Sequence, residues 1–440
     1  MYSSIVVNLG MRSSSQQPPR AVDPFRYPGF AALWAAETVS GFGTYITTIA
    51  LQVLVVLTLG GTATDVGLLN ASRWMPYLLL GLVVGAVVER RRRKPILIST
   101  DLGRGILLGL IPLFYWLGWL SLPVLFAFVA VFGLFTLLND ASSMSFVPRL
   151  VPPEGLLAAN ARLDQSASVA QTSGPLLAGG LVSLIGAPLA VVVDAASYLF
   201  SALAVWRIPV HEPPSTPRTE RLHLRRDIAD GLRWIYRHPV LRWQVIANHI
   251  WFLFNSMLIT IYVPFVLLSL GLTPLELGIT LASAGMFGLI GALIAARAGR
   301  RFGAGPTVIL GYAIMPLAWA CIALTPMNLG GYTGITVIVL AIGQGIYGFC
   351  LGLQNANEMA YRQAITPDAL QSRTNITIRS FNRAMIVVGA PVGGILADSI
   401  GYRPTFWIGI GGFVVVAVLL ALSPFRRARH PDGQPEPRAI

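Results

Sequence analysis

The chain has 440 residues, of which 54% are hydrophobic and only 12% are charged. A soluble globular protein carries about 25% charged residues, so about half of the expected charge is missing. Apolar runs such as residues 66–88, 122–138 and 400–422 are about long enough to cross ~30 Å of hydrocarbon. The composition excludes an ordinary soluble fold and predicts an all-α integral membrane protein.

The net charge of +13 has two interpretations, a nucleic-acid partner or the excess of Lys and Arg that membrane proteins carry in cytoplasmic loops. Alternation across twelve spans from a cytoplasmic N-terminus places 29 of the 32 Lys and Arg residues in cytoplasmic segments, and the exceptions are Arg73, Arg104 and Arg403. This asymmetry predicts a multi-pass protein of the bacterial inner membrane with both termini in the cytoplasm. The lipid bilayer is then the partner, and no basic surface remains for nucleic acid.

The apolar runs predict twelve membrane helices, taken here in chain order. They lie at about residues 29–57, 66–88, 95–116, 121–140, 160–185, 188–207, 243–269, 275–297, 305–325, 332–354, 380–400 and 404–423. The predicted domains are a cytoplasmic tail (1–25), an N-terminal six-helix half (26–207), a cytoplasmic linker (208–242), a C-terminal six-helix half (243–424) and a second tail (425–440). Ile228, Leu232 and Ile235 share one face in the linker, which predicts an amphipathic helix on the inner leaflet.

Motifs for an enzyme or a cofactor are missing from the sequence. It contains no G-x-x-x-x-G-K-[ST] loop, no H-E-x-x-H and no G-x-S-x-G, and its two cysteines, Cys321 and Cys350, fall inside apolar spans. We therefore predict no catalytic residue, no metal and no cofactor, and an ion gradient rather than ATP as the source of energy.

Small residues and prolines recur at half-chain spacing. Gly174, Pro175, Gly179 and Gly180 in the fifth predicted helix return about 215 residues later as Gly389, Pro391, Gly393 and Gly394. Weak repeats of this kind are typical of transporters built from two related halves. Small residues also let helices approach and slide.

The loop at residues 85–94 resembles the signature of the major facilitator superfamily, with Glu89 in the place of the usual Asp and Arg92 in that of the second Gly. Gly174-Pro175 resembles the motif of its drug:proton antiporter branch. The segments 147–152, 159–162 and 194–199 are similar to the macrolide-efflux and enterobactin-exporter group. Over residues 25–424 the resemblance implies two pseudo-symmetric halves, alternating access to a midplane cavity, and a monomer.

The resemblance also assigns an inner gate. In this superfamily the loop locks the closed cytoplasmic side, and the matching residues here are Gly85, Glu89, Arg90 and Arg93. The alternative is plain anchoring of the loop by its positive charge, which explains the arginines but not the glycine or the acid.

Few ionisable residues lie within the spans, and each is costly there, at about 2.5–3.5 kcal/mol on insertion scales. Glu37 lies two turns into the first helix, which lines the cavity in this superfamily. It either binds the coupling proton or is a structural carboxylate. Asp101 and Arg104 share a helical face and are predicted to be a structural pair, and Asp194 is also predicted to be structural.

Aromatic and polar residues of the cavity-lining helices are the candidates for substrate contacts. They are Tyr45, Asn70, Arg73, Asn139, Asn248, His249, Trp251, Asn255, Gln344 and Tyr347. For each of them ordinary helix packing is the alternative, and for Arg73 it is pairing with an acid.

These patterns predict a secondary transporter that exports small amphipathic drugs or secondary metabolites in exchange for protons. A siderophore exporter or a proton-coupled importer of the same fold is the alternative within transport. A membrane receptor or scaffold is the alternative outside it.

Overall fold

A computed structural model describes residues 23–89, 91–210, 224–326 and 333–429, which contain thirteen α-helices. The first six are α1 (Pro28–Val53), α2 (Ala63–Glu89), α3 (Arg93–Trp116), α4 (Leu122–Leu150), α5 (Leu156–Ile185) and α6 (Ala187–Trp206). The others are α7 (Leu224–Arg237), α8 (Leu241–Pro264), α9 (Pro274–Phe302), α10 (Ala304–Ala323), α11 (Thr333–Ile365), α12 (Asp368–Ile400) and α13 (Tyr402–Leu422).

Eleven of the described helices are long and apolar enough to cross a membrane. The helix α2 completes a set of twelve, because its 27 residues pack against α4 in one half and α12 in the other. The helices α1–α6 and α8–α13 each pack mainly among themselves. Two six-helix halves result, as the sequence predicts.

The connections inside each half are short and are built alike. Gly186 joins α5 to α6 with φ of 80°, and Gly401 joins α12 to α13 with φ of 93°. Residues with a side chain rarely adopt this left-handed backbone, so glycine is required at both turns. The first helix of each half also ends in a π-turn, Leu54–Thr58 after α1 and Phe265–Ser269 after α8. These π-turns are 211 residues apart, so a position in the first half corresponds to the position 211 residues later in the second.

Three helices are longer than the sequence predicts. The helix α4 continues to Leu150, α11 continues to Ile365, and α12 begins at Asp368. Polar residues in these extensions resemble a loop, but several are buried between helices. Asn357 of α11, for example, donates hydrogen bonds of 3.0 Å to the carbonyl oxygens of Ala295 and Leu353.

The amphipathic linker helix α7 lies against the C-terminal half. Ile235 is buried with Leu241, Val245 and Ile378, and Asp230 lies 3.3 Å from Arg373 of α12. The sequence predicts a helix on the lipid surface, and the structure differs because protein covers part of the apolar face.

The halves meet at one membrane face. We call the face at which the described chain begins and ends the terminal face, and the opposite one, with the Gly186 and Gly401 turns, the far face. Near the far face Gly67 of α2 lies against Ala390 and Pro391 of α12, and Gly179 of α5 lies against Gly278 of α9. A side chain at any of these glycines would strike backbone of the other half. Because these glycines have no side chains, the backbones of the two halves come into contact and close the far face.

This packing predicts the effect of a larger residue in α2. A Cβ at Gly67 would lie 2.6 Å from the carbonyl oxygen of Ala390, whereas one at Gly81 of the same helix would meet nothing within 4 Å. We expect Gly67→Val to separate the halves at the far face and Gly81→Val to leave them in contact. The measurement is labelling of Asn70→Cys by an impermeant maleimide, in a background without Cys321 and Cys350. The reagent is added to the outside of spheroplasts, the side on which the arginine distribution predicts the far face.

Labelling several-fold faster with Gly67→Val than with Gly81→Val is the expected result. Equal rates in the two variants, at equal yields of monodisperse protein, would contradict the account of the closed far face.

Candidate functional site

A carboxylate of α1 reaches α4 in the N-terminal half. Glu37 lies nine residues after the start of α1, and its Oε1 accepts a hydrogen bond of 2.6 Å from Ser143 Oγ. Both side chains are half-buried. Within the described part of the chain no Lys, Arg or His nitrogen lies within 4.0 Å of Glu37, so its hydrogen-bond partner is a neutral hydroxyl.

A second carboxylate, Asp140, lies on the face of α4 that carries Ser143. It is absent from the candidates that the sequence predicts. Asp140 precedes Ser143 by three residues, which places the two side chains next to each other. Its Oδ2 accepts a hydrogen bond of 2.6 Å from the Tyr77 hydroxyl of α2. Asp140 is exposed although it lies ten residues before the end of α4. Protein atoms therefore leave the Asp140 side chain uncovered at this depth of the molecule.

An arginine from the other half completes this group. The Arg383 guanidinium of α12 lies 3.8 Å from the ring centre of Trp74 and 5.6 Å from that of Tyr77. Cations bind the faces of aromatic rings, with about 2 kcal/mol when both are desolvated. A chain of contacts thus runs from α12 through α2 to Asp140.

Arg73 links α2 to α1 beside this group. Its Nη1 donates a hydrogen bond of 2.7 Å to Thr48 Oγ1, and its guanidinium lies 5.7 Å from the centre of the Trp74 ring. We call the whole set the midspan cluster, which consists of Glu37, Arg73, Trp74, Tyr77, Asp140 and Arg383. Two carboxylates, two guanidiniums and two aromatic rings can bind a proton, a cationic group and a flat apolar surface.

A cavity of about 450 Å³ lies between α1 and α5, toward the terminal face. Its aromatic residues are Phe25, Trp34 and Phe42, and its other lining residues are Thr38, Arg162, Gln165, Ser166 and Val169. The mixture of rings and neutral polar groups suits an amphipathic molecule.

A buried ionic network fills the N-terminal half behind the cluster. Asp101 and Arg104 of α3 contact each other, and Ser201 of α6 donates a hydrogen bond of 2.6 Å to Asp101. Arg104 also lies 4.2 Å from the centre of the Tyr198 ring. Asn139 donates 3.0 Å to Asp101 and is 6% exposed, so it faces α3 and not a cavity as predicted.

Asp194 of α6 is fully buried and accepts a hydrogen bond of 2.8 Å from Ser197. It lies against Gly43 of α1, where a side chain would collide with its carboxylate. These contacts join α6 to α1 inside one half, the kind of place that a structural residue occupies.

A polar network also crosses the C-terminal half. Glu358 of α11 is 6% exposed and accepts hydrogen bonds of 2.9 Å from the Tyr312 hydroxyl and 3.4 Å from Asn248 Nδ2. Asn382 of α12 donates 2.9 Å to Asn248 Oδ1, and its own Oδ1 lies 2.8 Å from His249 Nδ1. The predicted residues Asn248 and His249 are thus joined to a carboxylate that the sequence analysis missed.

The other predicted cavity residues of the C-terminal half lie in its core. Asn255 accepts a hydrogen bond of 2.7 Å from the Tyr347 hydroxyl, and Trp251 donates from its ring nitrogen to the Met315 sulfur at 3.3 Å. Gln344 is buried as well. The prediction that these four residues line the cavity differs from the structure, because this face of α8 packs against α10 and α11.

Two predicted cavity residues lie elsewhere. Tyr45 is half-buried against Gly174, at a contact between α1 and α5. Asn70 donates a hydrogen bond of 3.1 Å to Thr260 of α8 and so belongs to the contact between the halves.

The packing glycines divide into two groups. Gly174, Gly389 and Gly393 lie at contacts within a half, the last two against Leu253, Ser256 and Met257 of α8. Gly179, Gly180 and Gly394 lie where the halves meet, and Pro175 and Pro391 bring backbone to the same contacts.

The predicted gate lies largely outside the described residues. Arg90 is not described, nor are the surroundings of Gly85 and the side chain of Glu89 in the last turns of α2. Arg93 begins α3, and the following Lys94 donates a hydrogen bond of 2.8 Å to the carbonyl of Ile208. The gate stays a prediction.

Asp140, Arg383 and Glu358 had signals in the sequence that could have revealed them. Residues 354–366 contain no Pro or Gly, and Pro367 follows them, so a helix could have been extended through Glu358. A helix beginning after Pro367 would have placed Arg383 far from the loop. Asp140 is an acid at the end of the predicted apolar helix 121–140.

A carboxylate bridges the halves at the far face. Asp398, near the end of α12, accepts hydrogen bonds of 3.1 Å from the Ala63 amide, 2.9 Å from the Thr64 amide and 2.6 Å from the Thr64 hydroxyl. The first amides of a helix have no partner within it and favour an anionic acceptor. A residue of the C-terminal half thus caps a helix of the N-terminal half.

Comparisons with known proteins agree over nearly the whole chain. A family model described as a transmembrane secretion effector matches residues 20–438. The uncharacterized MFS-type transporter YfiS of Bacillus subtilis (strain 168) is 26% identical over 419 residues, which are 90% of this chain and 91% of the relative. The multidrug efflux pump Tap of Mycolicibacterium fortuitum is 26% identical over 398 residues, with 87% and 92% covered. Macrolide efflux protein A of Streptococcus pyogenes is 22% identical over 414 residues, with 92% and 97% covered.

Solved structures share the fold. The nucleoside transporter NupG superposes with a TM-score of 0.71 at 12% identity, covering 89% of this chain and 98% of that one. A bacterial homologue of the human lysosomal transporter Spinster, inward-facing and unoccupied, superposes with a TM-score of 0.69 at 16% identity, with 91% and 97% covered. Both are transporters, and the match confirms the predicted twelve-helix major facilitator fold.

The cap at the far face predicts a second change of conformation. Asp398→Ala removes three hydrogen bonds between the halves, one of them from a hydroxyl, whereas Asp65→Ala removes two bonds of the same types to Thr62 within one half. We expect Asp398→Ala to favour separation of the halves at the far face by about 2 kcal/mol, or about thirtyfold in the ratio of the two states.

The measurement is double electron–electron resonance between spin labels at Ser121→Cys and Ser399→Cys, which are exposed on opposite halves at the far face. A new population at longer distance should appear with Asp398→Ala and not with Asp65→Ala. Identical distance distributions for the two variants would show that the cap does not hold the halves together.

Proposed function

Because the chain belongs to the transmembrane secretion effector family of the major facilitator superfamily and is therefore a membrane transporter, we propose that it exports small amphipathic molecules in exchange for protons. The observation that carries the proposal is the midspan cluster. It contains Glu37, held by a neutral hydroxyl, and the exposed Asp140, which is bonded to Tyr77 beside the Trp74 ring.

The names of two relatives support export. Tap is called a multidrug efflux pump and its streptococcal relative a macrolide efflux protein. Both cover most of this chain, so the likeness extends over both halves.

The arrangement of the faces supports entry of a substrate from the cytoplasm. The arginine distribution puts the terminal face in the cytoplasm, and the cavity between α1 and α5 lies toward that face. Glycine contacts and the Asp398 cap close the far face. In this state a substrate enters from the cytoplasm and reaches the midspan cluster.

Arg383 relates substrate binding to movement of the halves. Its guanidinium occupies the face of Trp74, the surface that a cationic group of a substrate would use. A substrate that displaces Arg383 also removes a contact between α12 and α2. Substrate binding then favours separation of the halves, because the cationic group of the substrate replaces Arg383 on the Trp74 ring.

Proton exchange follows from the carboxylates. When Glu37 is ionised, it accepts from Ser143 and attracts a cationic substrate. When the far face opens, a proton from outside can bind Glu37 and remove that attraction, so that the substrate leaves. The protonated transporter returns and releases its proton to the cytoplasm. Each charge that crosses 100 mV of potential contributes about 2.3 kcal/mol.

Glu37→Gln tests this role in everted membrane vesicles with an acid interior. A gradient of about one pH unit is worth about 1.4 kcal/mol, so it supports about tenfold accumulation of a fluorescent cationic dye for each proton exchanged. We expect wild-type vesicles to accumulate the dye and to lose it when the gradient is collapsed. Glu37→Gln should not accumulate it, because a glutamine neither binds nor releases the proton.

Glu154→Gln is the matched control, since it replaces an exposed acid of the same half near the terminal face. Accumulation by Glu37→Gln equal to that by this control would remove Glu37 from the coupling. Dye movement out of wild-type vesicles, against the expected direction, would favour import.

A further inference from the structure

The C-terminal half contains a buried carboxylate that the export cycle above does not use. Glu358 receives its two hydrogen bonds from uncharged groups, the Tyr312 hydroxyl and the Asn248 amide. In the described part of the chain no Lys, Arg or His nitrogen lies within 4.0 Å of it. An ionised carboxylate without a cationic partner is costly to bury, whereas the neutral acid is not.

Its place in the fold matches that of Glu37. Asn248 lies 211 residues after Glu37, the same distance that separates the two π-turns. Glu37 joins the first helix of its half to the fourth through Ser143, and Asn248 joins the first helix of the other half to the fourth through Glu358. Each half therefore holds one carboxylate across the same pair of helices, on α1 in one half and on α11 in the other.

A continuous row of hydrogen bonds leads away from Glu358. It runs through Asn248 and Asn382 to His249, with links of 3.4, 2.9 and 2.8 Å. The His249 ring lies 5.4 Å from that of Phe381, which is 39% exposed. The row thus connects a buried acid with His249, a half-buried titratable residue beside an exposed residue of α12.

We propose that Glu358 is a second proton-binding residue, which exchanges its proton through Asn248, Asn382 and His249. The proposal rests on the proton-coupled export proposed above, to which it adds a site in the other half. As the O–H bond forms at Glu358, the Nδ2–H bond of Asn248 breaks, and the Asn248 oxygen takes the Nδ2 proton of Asn382. The Asn382 oxygen in turn takes the Nδ1 proton of His249, and the reverse transfers return both amides to their original form.

Other ionisable groups surround the site without contacting the carboxylate directly. Arg362 follows on α11, where it donates to the Met359 sulfur at 3.3 Å, and Arg379 is exposed on α12. Tyr347 lies on α11, and Tyr312, which donates to the carboxylate, lies on α10. His249 is the titratable group of α8 in the row itself.

Protonation at Glu358 changes the contact between α8 and α11. The ionised carboxylate accepts from both Tyr312 and Asn248, but a protonated oxygen cannot accept from a donor that faces its hydrogen. A proton on Oε2 therefore weakens the bond from Asn248, whose amide nitrogen can only donate. Because α8 also contacts α2 through Thr260 and Asn70, the change acts on a helix that holds the halves together.

The test is infrared difference spectroscopy of purified protein during a pH titration, which detects protonated carboxyl groups whether or not a substrate is transported. We expect Glu358→Gln to lose one titrating carboxyl band that remains in Glu276→Gln, the control. Glu276 is an acid of the same half that caps α9 with Thr273. An unchanged set of bands in Glu358→Gln would overturn the proposal.

Tyr312→Phe guards against a variant that does not fold, because it removes only the 2.9 Å donor and leaves the carboxylate. The pH midpoint of the same band should move, and an unmoved midpoint would also count against Glu358. If wild-type vesicles failed to accumulate the dye, proton-coupled export would be refuted, but the infrared band of Glu358 would remain. The two proposals can therefore fail separately.

Discussion

A charge inside a membrane must be paired within the protein or must face water, because hydrocarbon supplies neither hydrogen bonds nor counter-ions. Two groups of charged residues satisfy this constraint in different ways, whereas the buried carboxylates Asp194 and Glu358 accept hydrogen bonds from uncharged groups. Asp101 and Arg104 pair in the core of the N-terminal half, among further hydrogen-bond donors from α4 and α6. Asp140 is instead exposed and accepts from Tyr77, and Arg383 lies against the Trp74 ring of the other half.

This difference separates support from function. Residues of the first kind fix helices within a half and are fully used by their neighbours. Of the second kind, Arg383 holds one half against the other by ring contacts that a ligand can replace, and Asp140 is open to a ligand or a proton. Close approach of backbone at the glycines of α2, α5, α9 and α12 makes this possible, since few side chains need to rearrange when the halves move.

The fold could be predicted from sequence because hydrocarbon thickness sets the helix length and short glycine turns separate the spans. The motifs and the half-chain repeat led to the correct superfamily. The site was less accessible. Glu37 was found because a lone acid in an apolar helix is conspicuous, but its partner Ser143 was not, since pairing across helices depends on rotation.

Errors concentrate where helices extend beyond the hydrocarbon. Helix length set from apolar composition ends α11 before Glu358 and begins α12 close to Arg383, so Arg383 is counted with the cytoplasmic arginines and Glu358 is not among the candidates. Asn139 and Trp251 failed for another reason. Their helices do line the space between halves, but these residues point into the cores of their own halves.

The central claim is that substrate and protons exchange across this protein through carboxylates at its centre. Purified transporter in proteoliposomes tests it most directly, with a pH-sensitive dye trapped inside and an outward gradient of cationic substrate but no imposed pH gradient. The account predicts that substrate leaving the vesicles drives protons inward and acidifies the lumen, and that protein-free vesicles show no such change. Substrate efflux through the protein without acidification would contradict proton exchange.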